Sequence, residues 1–234
     1  MQVLALASST DTLSVTITSP TGEHALESRE KRLHSAVLLD LVGEVMTAAC
    51  LKPRELAALA VDVGPGAFTG VRTAIAAAQG LALAWSLPII PVSSLVAMRM
   101  DSAQRAGVAA QGAALCVLDA RMGEVYHALV DSLGCWVTEP RVGPASALRI
   151  YRDVAVSAVL SNLSENLLEA ARSALPTVEQ WHAAAPSARG ILAAVRAYPE
   201  LFNEGVAAHA IAPQYVRNEV ALTITQRQEL GHAA

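Results

Sequence analysis

A strand–turn–strand unit at the start of the chain returns, in the same order, near its middle. Val3, Leu4, Ala5, Leu6 and Ala7 form a short apolar run, Ser8-Ser9-Thr10-Asp11 supply turn residues, and Leu13, Val15 and Ile17 then alternate with Ser14, Thr16 and Thr18. That period of two belongs to a half-buried strand. The second copy reads Leu115-Cys116-Val117-Leu118-Asp119, turns at 120–123 and continues over 125–130, so Asp119 falls 112 residues after Ala7. Hairpins alone are common. An offset near half of a 234-residue chain is what points to two copies of one α/β module.

Between the hairpins the pattern is helix, strand, helix, strand, helix, over 33–50, 59–63, 70–86, 87–92 and 94–106. The last follows the cap signal Ser93-Ser94. After the second hairpin, 164–174 and 187–198 have helical periodicity and prolines punctuate the remainder. The expected division is an N-terminal lobe over 1–110, a C-terminal lobe over 111–222, and a disordered tail over 223–234.

Composition excludes several classes. With 53% apolar residues the chain buries enough surface to offset its ordering entropy, so disorder is excluded. A formal charge of −4 argues against a free-standing nucleic-acid binder, and 4% aromatics leave little for base stacking. Any RNA is expected to be carried by a partner. Three cysteines without a CxxC pair read as small buried residues of a reducing compartment. The apolar start lacks a basic n-region, against a secretory signal. Residues 73–98 carry no charge but are broken by Pro88 and Pro91, whereas a membrane span needs about 20 continuous apolar residues. A soluble cytoplasmic protein is expected.

The helix over 33–50 is apolar on more than one side. One stripe joins His34, Leu38, Leu41, Val42, Val45 and Ala49, and a second joins Ser35, Leu39, Val42 and Met46. A surface helix needs a single stripe, so this one is either central and buried all round or docks a partner. The helix over 70–86 is crowded with small residues, which let another backbone approach closely. Alanine-rich composition is the plainer reading, since alanine is the best helix former.

Gly64-Pro65-Gly66-Ala67-Phe68-Thr69-Gly70-Val71-Arg72-Thr73 joins a buried strand to a helix. Such junctions hold anions on free N–H groups. A Walker loop is excluded because Val71, not Lys, follows Gly70, and a dinucleotide fingerprint because Thr69 stands where glycine is required. A tight turn remains, with Thr69 able to cap the helix and Phe68 either anchoring a partner or packing under the loop. The six histidines form no HxxH or HxxxH pair, so no metal site is expected. Asp119, beside Arg121, is the best single carboxylate for metal–phosphate work, with a structural ion pair as the equal alternative. Asp62 ends a buried strand or caps the turn after it.

The 64–72 segment, with Ala78-Gln79-Gly80-Leu81-Ala82, resembles the signature of the TsaB (YeaZ) family. His34-Ser35, Pro91-Val92-Ser93-Ser94-Leu95, Asp119-Ala120-Arg121-Met122-Gly123-Glu124-Val125-Tyr126 and Pro213-Gln214-Tyr215-Val216-Arg217-Asn218 agree in the same order. The resemblance implies an actin-like ATPase (ASKHA, ribonuclease H-like) fold of two duplicated α/β lobes. It also implies a non-catalytic role in making threonylcarbamoyladenosine beside the tRNA anticodon. The partners implied are TsaD, which transfers the group, and TsaE, an ATPase, with a TsaC-type enzyme supplying the adenylate. A homodimer is expected for the isolated protein, tRNA is reached only through the complex, and no membrane is involved.

Departures from the family bear on cofactors. The metal-holding HxxxH of the catalytic relative is matched here by Ser94 and Met98, neither suited to that metal. The family's first strand usually ends Asp-Thr, but here it ends Ala7-Ser8, and a later Gly-x-Gly is replaced by Ser161-Asn162-Leu163. Weak or absent ATP binding is therefore expected, Asp119 and Arg121 being vestigial. The expected partner surface uses His34, Leu38, Leu41, Val42 and Val45 of one helix. From the second helix and the loop before it come Phe68, Thr69, Val71, Arg72, Ile75 and Gln79. The rival readings are an ATP-dependent small-molecule kinase of the same fold using Asp119, and a metallopeptidase.

Overall fold

A computed structural model describes residues 1–29, 34–105, 112–150, 154–200 and 205–216. The elements are β1 (Val3–Ala7), β2 (Leu13–Ser19), β3 (Gly22–Ser28), α1 (His34–Ala48), β4 (Ala58–Asp62), α2 (Phe68–Trp85), β5 (Ile89–Val92) and α3 (Ser94–Arg105). The second half has β6 (Ala113–Arg121), β7 (Glu124–Val130), β8 (Arg141–Pro144), β9 (Val156–Ser161), α4 (Glu165–Ala174), β10 (Trp181–Ala183) and α5 (Ala188–Ala197).

Two five-stranded mixed sheets result, ordered β3-β2-β1-β4-β5 and β10-β9-β6-β7-β8. In each, an antiparallel hairpin feeds a parallel pairing: β1 with β4, and β6 with β9. The two orders correspond strand for strand, with β6 in the place of β1. This is the duplicated actin-like α/β fold, and the repeated hairpin is its sequence trace.

The layers alternate helix and sheet. α1 and α2 cover one face of the first sheet, and α4 covers the outer face of the second. Between the sheets lie α3 and α5. α3 packs on β6, β7 and β9, while α5, from the far end of the chain, packs on β1, β2 and β4. The lobes therefore share their central helices. Gly190 makes the α3–α5 seam possible, since a Cβ there would stand 2.0 Å from the Ala97 carbonyl oxygen.

Strands β3, β8, β9 and β10 were not legible in the pattern. β3 and β8 are at most half-buried and β10 has three residues, so these three carry no clean apolar alternation, while β9, with its last four residues buried, is a short run that periodicity alone does not assign. No helix among the described residues is long and apolar enough to cross a membrane. The tail over 223–234 lies outside the described residues.

Candidate functional site: an interlobe cleft and an outward helical face

The ends of β1, β4 and β6 converge on a cleft between the lobes, with a cavity of about 630 Å³. Its floor is organised by Asp62, the last residue of β4, which is fully buried. Its carboxylate accepts N–H hydrogen bonds from Ser8 (3.3 Å) and Ser9 (3.1 Å), and the Ser94 hydroxyl donates at 3.5 Å. Burial pushes the Asp62 carboxyl up to about 6, and these hydrogen bonds pull it back only partly. Asp62 thus ties the β1–β2 turn to the start of α3. Ser93, the other half of the expected cap, donates its hydroxyl to Gly64 O at 3.1 Å and locks the next loop.

The glycine loop does something other than cradle an anion. A Cβ on Gly66 would lie 2.4 Å from Ser9 O, and one on Gly70 would lie 1.8 Å from Ser8 O. Ala67 N–H donates to Ser9 O at 2.7 Å. The glycines let the entry to α2 press backbone-first against the β1–β2 turn. Thr69 does not cap this helix, since the N-cap is Ala67, no side chain caps it, and Thr69 stands exposed in the first turn.

Across the cleft, Asp119 and Arg121 end β6. Asp119 Oδ1 accepts the Arg121 N–H at 2.7 Å, and Asn162 Oδ1 accepts the Asp119 N–H at 3.1 Å. The Arg121 guanidinium lies 3.8 Å from Asp119 and 3.6 Å from Asp11 of the opposite lobe. The ion-pair alternative for these two residues is the one the geometry contains. Exposed pairs at such distances contribute about 0–1 kcal/mol. Asn162, in the stretch that lacks the family's glycines, fixes the strand end instead.

On the near wall Phe68, Arg72 and Tyr215 form one cluster. The Arg72 guanidinium lies 3.5 Å from the Phe68 ring centroid and 5.9 Å from that of Tyr215, and it donates to the Tyr215 hydroxyl at 2.7 Å. Phe68 is 61% exposed, so packing under the loop is not its role. Tyr215, Asp11 and Asn162 were missed as site residues. Tyr215 stands 143 residues from Arg72, and no local spacing joins them.

The expected partner surface needs correction. Leu38, Leu41, Val42, Val45, Val71 and Ile75 are all buried in the core between α1, α2 and the first sheet, so they offer nothing to a partner. Of the second apolar stripe of α1, Val42 and Met46 are buried as well, and Leu39 is the member that faces outward among the described side chains. Leu39 is 48% exposed on α1, with Asp40, Gly43, Glu44 and Thr47 around it. On α2 the outward residues include Ala76, Gly80 and Leu83, the last 78% exposed, while the exposed Arg72 lies on the cleft wall instead. Gly43 and Gly80 have open space where a Cβ would stand. Gln79 is half-buried and its amide donates to Ile211 O at 3.4 Å. The His34 side chain lies outside the described residues.

These two surfaces can be set against known proteins. A profile of the family described as TsaD: tRNA N6-adenosine threonylcarbamoyltransferase matches residues 26–139. The chain is 37% identical over 138 residues to tRNA threonylcarbamoyladenosine biosynthesis protein TsaB of Escherichia coli strain K12, covering 58% of each chain. It is 33% identical over 167 residues to the uncharacterized protein Mb3455c of Mycobacterium bovis, covering 71% of this chain and 70% of that one. The solved structure of YeaZ from Pseudomonas aeruginosa matches with a TM-score of 0.79 at 27% identity, over 92% of this chain and 99% of that one. The chain belongs to the TsaB (YeaZ) family.

The stretches aligned with the TsaB proteins of E. coli and Haemophilus influenzae span 58% and 54% of those relatives' lengths. Against the TsaB pattern, Ala7 is buried at the end of β1, where the family's Asp would stand. Ser94 and Met98, matched to the metal-holding pair of the catalytic relative, are buried in the interior, Ser94 on Asp62 and Met98 in the core between the sheets. Among the described residues, no group of three His, Cys, Asp or Glu side chains is placed to hold a metal ion.

Proposed function

We propose that this chain is the non-catalytic subunit of the complex that places threonylcarbamoyl on the adenosine beside the tRNA anticodon. In this role it binds and activates TsaD through the outward face of α1 and α2, with TsaE joining the assembly. Alone, it pairs with a second copy through the same face. The observation that carries the reading is that face itself. Two exposed leucines, Leu39 and Leu83, stand on adjacent helices beside Gly43 and Gly80, whose missing Cβ atoms leave room for another helix to approach. The names of the TsaB relatives support the pathway.

ATP binds weakly or not at all, and the subunit performs no hydrolysis of its own. Ala7 supplies no carboxylate to orient a magnesium-bound water. The glycine loop is spent on packing against Ser8 and Ser9. Among the described residues the cations on the cleft wall are arginines, one of them already held by Asp11 and Asp119.

Three measurements test the reading. Depleting the protein in its own host and quantifying tRNA nucleosides should lower threonylcarbamoyladenosine severalfold; normal levels would refute the pathway. Capture of TsaD should fall at least tenfold in Leu39→Asp/Leu83→Asp, and undiminished capture would remove the assigned face. Titration with Mg-ATP by calorimetry separates the kinase reading, which micromolar binding would favour.

A further inference from the structure

The cleft mouth carries an arginine, Arg72, to which the described residues supply no anion. Tyr215 takes one of the five N–H donors of Arg72, and Phe68 covers one face of the guanidinium. Among the described residues no carboxylate stands within ion-pair distance of Arg72, whereas Arg121, Arg189 and Arg196 each have one, from Asp11 and Asp119 or from Glu23. The first turn of α2 holds no acidic residue, so the free N–H groups of the helix start add to the positive potential there. Phe68 and Tyr215 expose 61% and 57% of their surface on the same wall. Arginine flanked by aromatic rings is the composition of interface hot spots, and a guanidinium already held in place loses little freedom on binding.

We propose that this cluster is a docking site, apart from the α1–α2 face, for an acidic side chain in an extended segment of a partner protein. The partner's carboxylate pairs with Arg72, and its neighbouring residues lie on the rings of Phe68 and Tyr215. Charge selects a protein over a nucleic acid. Elsewhere the cleft wall presents Asp11 and Asp119 against the single guanidinium of Arg121, and the chain carries a net charge of −4. A polyphosphate backbone meets repulsion on that wall, while one or two carboxylates need only the Arg72 side. The cavity of about 630 Å³ is wide enough for a few residues of extended chain.

The site rests on the proposed role only in expecting a protein partner, and it is tested on the isolated full-length chain. The arginine Nε–Hε signals are followed by nuclear magnetic resonance while acetyl-Ala-Glu-Leu-Glu-Ala-amide is added, with the Gln-for-Glu twin peptide as control. The Arg72 signal should shift with the Glu peptide, with a Kd on the order of 1 mM, and 0.5 M NaCl should weaken binding by about threefold or more. No shift, or an equal shift with the Gln twin, overturns the proposal. So does an unchanged titration of the backbone amides near Phe68 and Tyr215 in Arg72→Gln, an exposed substitution whose folding is checked by its melting temperature. A hexathymidylate that binds Arg72 more tightly than the Glu peptide overturns it in favour of nucleic acid. Leu39→Asp should leave the peptide titration intact, so a failure of the α1–α2 reading and a failure of this site give different results.

Discussion

Burial of Asp62 should make stability rise as the solution is acidified from neutrality, against the usual behaviour of a paired carboxylate. The group titrates near 3.8 in an unfolded chain and near 6 in the folded one, because desolvation disfavours its charge. The folded state therefore holds the proton more tightly than the unfolded state. The stability this proton contributes is complete below pH 3.8 and is lost as pH climbs through 6. A displacement of about two pKa units corresponds to roughly 3 kcal/mol in full. Between pH 7.5 and pH 5, about half is recovered, some 1–2 kcal/mol. The perturbation is Asp62→Asn, which keeps the shape and removes the proton. Urea unfolding of both proteins across that range cancels the contribution of every group the two share. The wild type should gain those 1–2 kcal/mol relative to the variant on acidification. Parallel profiles within about 0.3 kcal/mol would refute the reasoning, as would a wild-type Asp62 carboxyl carbon signal titrating near 4.

Four further outcomes follow from the packing. Gly70→Ala forces a Cβ into the Ser8 carbonyl and should cost at least about 1–3 kcal/mol in urea unfolding. Gly43→Ala with Gly80→Ala meets open space, so the isolated chain should gain up to about 1 kcal/mol per site while dimer association, read by analytical ultracentrifugation, weakens. Leu38→Asp buries a carboxylate in the α1–α2 core and should unfold the chain at room temperature, whereas Leu39→Asp should leave the melting temperature within a few degrees. Iodoacetamide at pH 8 should alkylate the exposed Cys50 and Cys135 but spare Cys116, whose buried thiol is pushed up to about 12.

The duplication was legible because a half-buried hairpin writes its period directly into side chains, as Leu13, Val15 and Ile17 do. The helices of the first lobe were legible for the same reason, to within about two residues at most ends. The edge strands were not, because partial exposure relaxes the alternation that marks a strand. The cleft was half legible. The glycine loop, Asp119 and Arg121 stood out by spacing, but the loop's purpose did not, since only the position of Ser8 and Ser9 shows what Gly66 and Gly70 must make room for.

By itself, then, the order of residues determined the α/β class, the two copies, the family and the loop at the start of α2, all of which depend on periodicity or motif within a few tens of residues. Tertiary structure decided which stripe of α1 is buried, that α5 returns to the first sheet, and that Arg72 meets Tyr215. A helix apolar on two sides does not say which side the sheet will take. Leu38 and Leu39 are one residue apart, and only the packing of β2, β3 and α2 around them makes one core and the other surface.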